Sequence, residues 1–283
     1  MIFQRVAVLG IGLIGGSFAL ALKQRGLALS VVGVARRPET LRDALAAELC
    51  DEATSDPTEA ATGADLVFLA SPVGGMPALC AQIAPVVAQG ALITDGGSTK
   101  ERVVEMCEPL FQSAHFIGGH PMAGSADSGP LAARADLFEG ATWILTPTVQ
   151  TNESALSTLH ELVEKLGARP LEMAPATHDE LLAVSSHLPH LTASALVHSF
   201  LASKAKAPEI EALVAGGWRD STRVAAGNAE MWRDICLDNA QAIEGALEGF
   251  AREIETLRVL VQTRDGDGLQ KWLDDAARER KRF

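Results

Sequence analysis

The chain has 283 residues, enough for one large or two ordinary domains, and its 47% hydrophobic and 21% charged content is that of a folded globular protein. A formal net charge of -12 excludes the basic surface that a nucleic acid or an anionic membrane requires, although a local field inside a cleft can still attract a small anion. Cys50, Cys80, Cys107 and Cys236 are scattered without a CxxC pair, which excludes a zinc ribbon or a redox motif and fits reduced thiols in a cytoplasmic protein.

In chain order, the first apolar stretch, Val6 to Leu22, imitates a signal-peptide core or a short membrane span. Gly10, Gly12, Gly15 and Gly16 interrupt it, so strand, tight turn and helix is the better reading, and no other run suits a bilayer. Arg5–Leu9 is read as the first strand and Ile14–Gln24 as the helix behind it. Leu29–Val34 follows as the second strand, with a helix from Pro38, where proline suits a first turn. Asp65–Ala70 and Ala91–Asp95 are further buried strands, each followed by a helix. His115–Gly118 and Thr142–Thr146 continue the sheet, Asn152–Gly167 is a helix with a glycine stop, and Ala168–Met173 is the last strand. The expected fold class is α/β: a Rossmann-like doubly wound domain over residues 1–174, then an all-α domain over residues 175–283.

The second part is read as long helices over Thr177–Ser203, Pro208–Ala215 and Ala229–Gln262. In the last of these Trp232, Ile235, Cys236, Asn239, Ile243, Leu247, Phe250, Ile254 and Leu257 recur at helical spacing as one broad stripe. A stripe that long points to a dimer interface; a kinked helix packed within one chain is the plainer alternative. The terminal RERKR run is read as a solvated helix end.

Four segments carry chemistry. Gly10-Ile11-Gly12-Leu13-Ile14-Gly15 follows a strand and opens a helix, the context in which GxGxxG cradles a dinucleotide pyrophosphate. After the second strand stand Ala35, Arg36 and Arg37 where NAD-specific sites place an acid. No carboxylate repels a 2′-phosphate there and two guanidinium groups can grip one, so NADP is favoured, with NAD possible. Ser71, closing the VFLAS run, joins this cofactor-side set. In DGGSTK, Ser98 either caps the next helix or donates a hydrogen bond into the nicotinamide or substrate pocket. In GGHPMAG, His120 is read on a constrained loop at a strand end, where a neutral imidazole can take the proton of a substrate hydroxyl during hydride loss. SHLPH sets His187 and His190 three apart without a third ligand, so no metal is expected, and Pro189 marks a kink or helix entry. Arg219 and Arg223 either clamp a substrate carboxylate or pair with Asp220 or another acid.

Taken in order, GIGLIGGS, VFLASPV, DGGSTK, FIGGHPMAG, WILTPT, SHLPH and WRDSTRVAAGNAEMWRDI resemble the prephenate/arogenate dehydrogenase family of tyrosine biosynthesis across nearly the whole chain. HPMAG and DSTRVA are the specific motifs; the glycine turn is widely shared. The likeness is strongest to the compact, monofunctional, NADP-using type, with only nine residues ahead of Gly10. The resemblance implies oxidative decarboxylation of a cyclohexadienyl substrate, prephenate or arogenate, with hydride passing to the nicotinamide. It implies His120 as acceptor and base for the ring hydroxyl, Ser98 as the group positioning it, Arg223 on the ring carboxylate and His187 lining the pocket. It also implies an intertwined homodimer. The alternatives are a 3-hydroxyacid dehydrogenase or imine reductase, which rely on a lysine or aspartate of the interdomain helix, and a non-catalytic NADP-sensing protein.

Overall fold

The computed structural model describes residues 2–125 and 127–283. The sheet-bearing part runs β1 (Val6–Leu9), α1 (Leu13–Gln24), β2 (Val31–Val34), α2 (Pro38–Ala46), β3 (Glu52–Thr54), α3 (Pro57–Ala61), β4 (Leu66–Leu69), α4 (Met76–Ile83), β5 (Leu92–Asp95), α5 (Glu101–Cys107), β6 (His115–Pro121), β7 (Thr142–Thr146), α6 (Glu153–Lys165) and β8 (Arg169–Glu172). The helical part follows as α7 (Pro175–Leu182), a π-helical turn (Ala183–His187), α8 (Leu188–Lys204), α9 (Gly216–Thr222), α10 (Ala229–Asp238), α11 (Ala240–Thr263) and α12 (Gly266–Arg280).

The strands form one sheet in the order β3-β2-β1-β4-β5-β6-β7-β8. β1 to β6 are parallel, β7 runs antiparallel to β6, and β8 is parallel to β7. Chain order reverses between β1 and β4, the switch point at which doubly wound sheets open a crevice for ligands. Alternation along β1 divides the core. Val6 and Val8 pack with Phe18, Leu22, Phe68, Trp143, Leu159 and Leu162 on the α1/α6 face. Ala7 and Leu9 pack with Ala60, Met76, Cys80, Ile83, Val103 and Cys107 on the other. Both faces are therefore covered, as the nearly continuous apolar runs of the strands demand.

Three expectations change. β3, a short edge strand, falls where no strand was read. β6 continues to Pro121, so His120 lies not on a loop but in a strand, opposite Ile144 of β7. Its glycines serve close packing: a Cβ on Gly119 would stand 2.7 Å from the Asp95 carbonyl oxygen and 2.8 Å from Thr94 Oγ1. The helix read over Ala229–Gln262 is two helices, divided at Asn239 (φ -107°, ψ 37°). Thr177–Ser203 is likewise interrupted by the π-helical turn, which seats Pro189 at the start of α8. The stretch read as a helix over Pro208–Ala215 is a 3-10 helix, Pro208–Leu213.

The helical part rests on the carboxyl ends of β4 and β5. Thr99 Oγ1 donates to Asp238 Oδ2 at the end of α10 (2.5 Å), and Asp234 sits against Gly74. Farther along, the apolar stripe is not covered within the chain: Leu247, Phe250, Ile254 and Val261 of α11 are 41%, 38%, 48% and 58% exposed. No helix among the described residues is long and apolar enough to cross a membrane.

Candidate active site

The glycine turn occupies the β1/β4 switch point. Gly10 has φ +118°, and a Cβ there would lie 2.4 Å from the Ala70 carbonyl oxygen; one on Gly15 would lie 2.1 Å from the Gly10 oxygen. The fold itself forbids side chains at these two positions. Gly12 differs, because a Cβ there would meet nothing within 4 Å. Its bareness leaves a cradle ahead of Leu13 and Ile14, whose amides open α1 without an N-cap side chain to satisfy them. Across the crevice, Ser71 Oγ is buried without a hydrogen-bond partner among the described residues. A pyrophosphate fits this arrangement of open cradle, unused helix amides and orphaned hydroxyl. Ala35 is half-buried at the end of β2, whereas Arg36 and Arg37 are exposed and pair with no acid among the described residues.

Two strands farther on, the chemistry-bearing residues converge. The Asp95 carboxylate, fully buried, accepts hydrogen bonds from the amides of Gly97 (2.8 Å) and Gly119 (2.9 Å) and pairs with the equally buried ammonium of Lys100. His120 Nδ1 lies 2.9 Å from His178 Nε2, and His178 Nδ1 lies 2.7 Å from Asp179 Oδ1. Asp179 also accepts the amides of Lys100 (2.7 Å) and Glu101 (2.9 Å). The first turn of α5 is thus capped from the helical part of the chain, and Ser98, for which capping was one of two readings, makes no cap bond among the described residues. Ser98 stays half-buried beside His187, whose ring its backbone touches.

His187 and Asn239 explain the division between α10 and α11. Asn239 Nδ2 donates to the Asp179 carbonyl (2.8 Å), which identifies it as the amide nitrogen, and it also lies 3.2 Å from His187 Nδ1. Nδ1 of His187 is therefore the acceptor and Nε2 carries the proton. That Nε2 is buried without a hydrogen-bond partner of regular geometry among the described residues. His190 stacks on Trp232 with ring centroids 3.6 Å apart, and no group of three or more potential metal ligands is found among the described residues. Arg219 and Arg223, on α9 and the turn after it, are exposed and bonded to no acid among the described residues, so the Asp220 pairing is not formed. No described contact joins them to the His120 cluster.

The cluster is held neutral. Burial lowers the His120 pKa well below its ordinary value, with His178, Lys100 and His187 adding repulsion. Burial likewise lowers His178, against its bond to Asp179, and lowers His190; His187 falls to about 4. Unfolded, these groups take up protons as pH falls through about 6.5, while the folded protein does not until lower pH. Their contribution to stability is therefore complete above that value and lost on acidification. For the buried His187 alone, on the order of 2 kcal/mol disappears between about pH 6.5 and 5. Urea-unfolding midpoints at about pH 7.5 and 5 check this, and equal midpoints would contradict neutral histidines.

Sequence reading found Ser98, His120 and His187 but missed Asp95, Lys100, His178, Asp179 and Asn239. His178 and Asp179 left one faint signal, an adjacent ionisable pair near the start of a helix opened by Pro175.

A doubly wound sheet, a glycine cradle at its switch point and a half-buried neutral histidine nearby define a nicotinamide-dinucleotide dehydrogenase. The comparisons place it more closely. Residues 18–172 match the family described as "Prephenate dehydrogenase, nucleotide-binding domain", and residues 174–275 match "Prephenate dehydrogenase, dimerization domain". The prephenate dehydrogenase of Bacillus subtilis is 36% identical over 96% of this chain and 74% of its own length. The cyclohexadienyl dehydrogenase of Zymomonas mobilis is 35% identical over 99% and 96%. Among solved structures, the prephenate dehydrogenase of Aquifex aeolicus in complex with hydroxyphenyl propionate and NAD+ superposes with a TM-score of 0.91 at 31% identity, covering 100% of this chain and 99% of that one. Synechocystis arogenate dehydrogenase gives 0.84 at 31% identity, covering 99% of each. The chain belongs to the prephenate dehydrogenase family.

Proposed function

We propose that the protein oxidatively decarboxylates prephenate, arogenate or both, using NADP. The observation that carries this reading is His120, a neutral imidazole beside the dinucleotide crevice. Its Nδ1 is engaged internally, while Nε2 has no partner among the described residues and is not sealed from solvent. That nitrogen is the base for the ring hydroxyl of the substrate. As it takes the proton, hydride leaves the carbon bearing that oxygen, and the ring carboxylate departs as carbon dioxide. The electron pair of the broken C–C bond enters the ring, which becomes an aromatic phenolate, and His120 returns the proton to that oxygen as the product forms. The dinucleotide supplies the hydride acceptor; Gly10, Gly12, Gly15, the amides of Leu13 and Ile14, and Ser71 hold it. Aromatisation supplies much of the driving force, so the protein's task is orientation and acceptance of one proton. Ser98 positions the reacting hydroxyl, His187 lines the pocket as a donor, and Arg223, with Arg219, binds substrate carboxylate.

The unpaired Arg36 and Arg37 support NADP over NAD. The exposed stripe of α11 supports a homodimer built on residues 175–283, with residues 1–174 as the dinucleotide-binding domain. Four free cysteines suit a cytoplasmic setting. Steady-state kinetics with both substrates and both cofactors test the assignment: reduction of NADP with at least one substrate is expected, and none with any combination overturns it. In the same assay Arg36→Ala raises the KM for NADP by roughly tenfold and spares NAD, as loss of one charge-assisted hydrogen bond requires. Equal effects on both cofactors would remove the phosphate clamp.

A further inference from the structure

His178 is fully buried, bonded on both ring nitrogens, and touches neither the cofactor cradle nor the open side of His120. Its bonds form a directed series. Backbone amides can only donate, so Asp179 receives N–H groups on both oxygens, Oδ1 from Lys100 and Oδ2 from Glu101, and serves as a carboxylate acceptor. The His178 nitrogen facing Asp179 Oδ1, Nδ1, must then carry a proton. In a neutral ring the other nitrogen, Nε2, is bare and can only accept. Facing it at 2.9 Å is His120 Nδ1, which must donate.

We propose that His178 is a positioning residue: held by Asp179, it fixes the proton of His120 on Nδ1 and so leaves Nε2 as the bare nitrogen that takes the substrate's proton. This rests on the assignment of His120 as the base. The arrangement works in one charge state. A protonated His178 would donate from Nε2, forcing the His120 proton onto its own Nε2 and abolishing the base. The groups facing the pair are the Lys100 ammonium, the Asp95 and Asp179 carboxylates and His187. Burial and Lys100 keep both rings neutral against the pull of Asp179. When His120 becomes an imidazolium, its Nδ1–H still donates to His178, with the Asp179 charge behind it. The O–H bond breaks, the Nε2–H bond forms, and no proton need travel further.

The test uses the full-length protein and the variants His178→Leu and His178→Gln. Loss of a group that orients a catalytic base predicts a fall in kcat of roughly 10- to 100-fold for H178L, with KM for substrate and cofactor within about threefold. H178Q, whose Oε1 can accept from His120 Nδ1, recovers about tenfold of that loss. Nitrogen-15 imidazole spectra of the wild-type protein show His120 protonated on Nδ1 and bare on Nε2. A wild-type His120 protonated on Nε2 overturns the proposal, as does wild-type kcat in H178L when His120→Asn is inactive. If H178L does not fold, the wild-type spectrum still decides. If His120→Asn also retains full turnover, the base assignment itself fails, and the spectrum separately decides the tautomer.

Discussion

Replacing His120 by asparagine lowers kcat by about a thousandfold, within the range for a general base, and changes KM for substrate and cofactor little. Asparagine is the informative replacement because its amide nitrogen can occupy the place of Nδ1 and still donate to His178 Nε2, 2.9 Å away in the native protein. The strand position is also kept, since His120 is fixed by pairing of β6 with β7 opposite Ile144. What is removed is the nitrogen facing accessible space. A group that acts only in the transition state depresses kcat and kcat/KM together, whereas a binding group raises KM and spares kcat. Steady-state kinetics near pH 8 separate the two, and full turnover would remove His120 from the mechanism.

The second large effect concerns stability. Asp95→Ala leaves the Lys100 ammonium uncompensated where neither side chain of the pair is exposed. Breaking a buried pair from one side costs about 3–5 kcal/mol, and the amides of Gly97 and Gly119 lose their acceptor as well. For a protein of this size that corresponds to a fall in Tm of about 10 °C. Removing both charges, in Asp95→Ala with Lys100→Met, recovers much of the loss, because an apolar side chain needs no counter-ion. Scanning calorimetry of the two variants checks both statements. A single variant melting within about 2 °C of the native protein would show that Lys100 finds another partner.

What could be read in advance was local. β1, β2, β4 and β5 are four-residue runs buried throughout, and GIGLIG announces its turn through spacing alone. The short β3 has an exposed Glu52 and half-buried neighbours, so it lacks the apolar signature of its partners. His120 was misplaced onto a loop because β6 gains its last residues by pairing with β7, more than twenty positions away. Asn239 sits in register with an apolar stripe; only its bonds to Asp179 and His187, sixty and fifty-two residues away, show that the helix breaks there. The same distance effect hid His178, since its meeting with His120 depends on how the helical part docks, not on any spacing in the sequence.

That docking has a consequence for how the enzyme works as a machine. Asp179 binds the amides of Lys100 and Glu101, and Thr99 binds Asp238, so the strand-end segment before α5 is tied at consecutive residues to α7 and α10. A wide hinge opening at this seam would uncap α5 and separate His178 from its aspartate's anchor in the same movement. Such an opening would break three hydrogen bonds at once, so the fold resists it, and the histidine pair keeps its geometry only while the two parts stay docked.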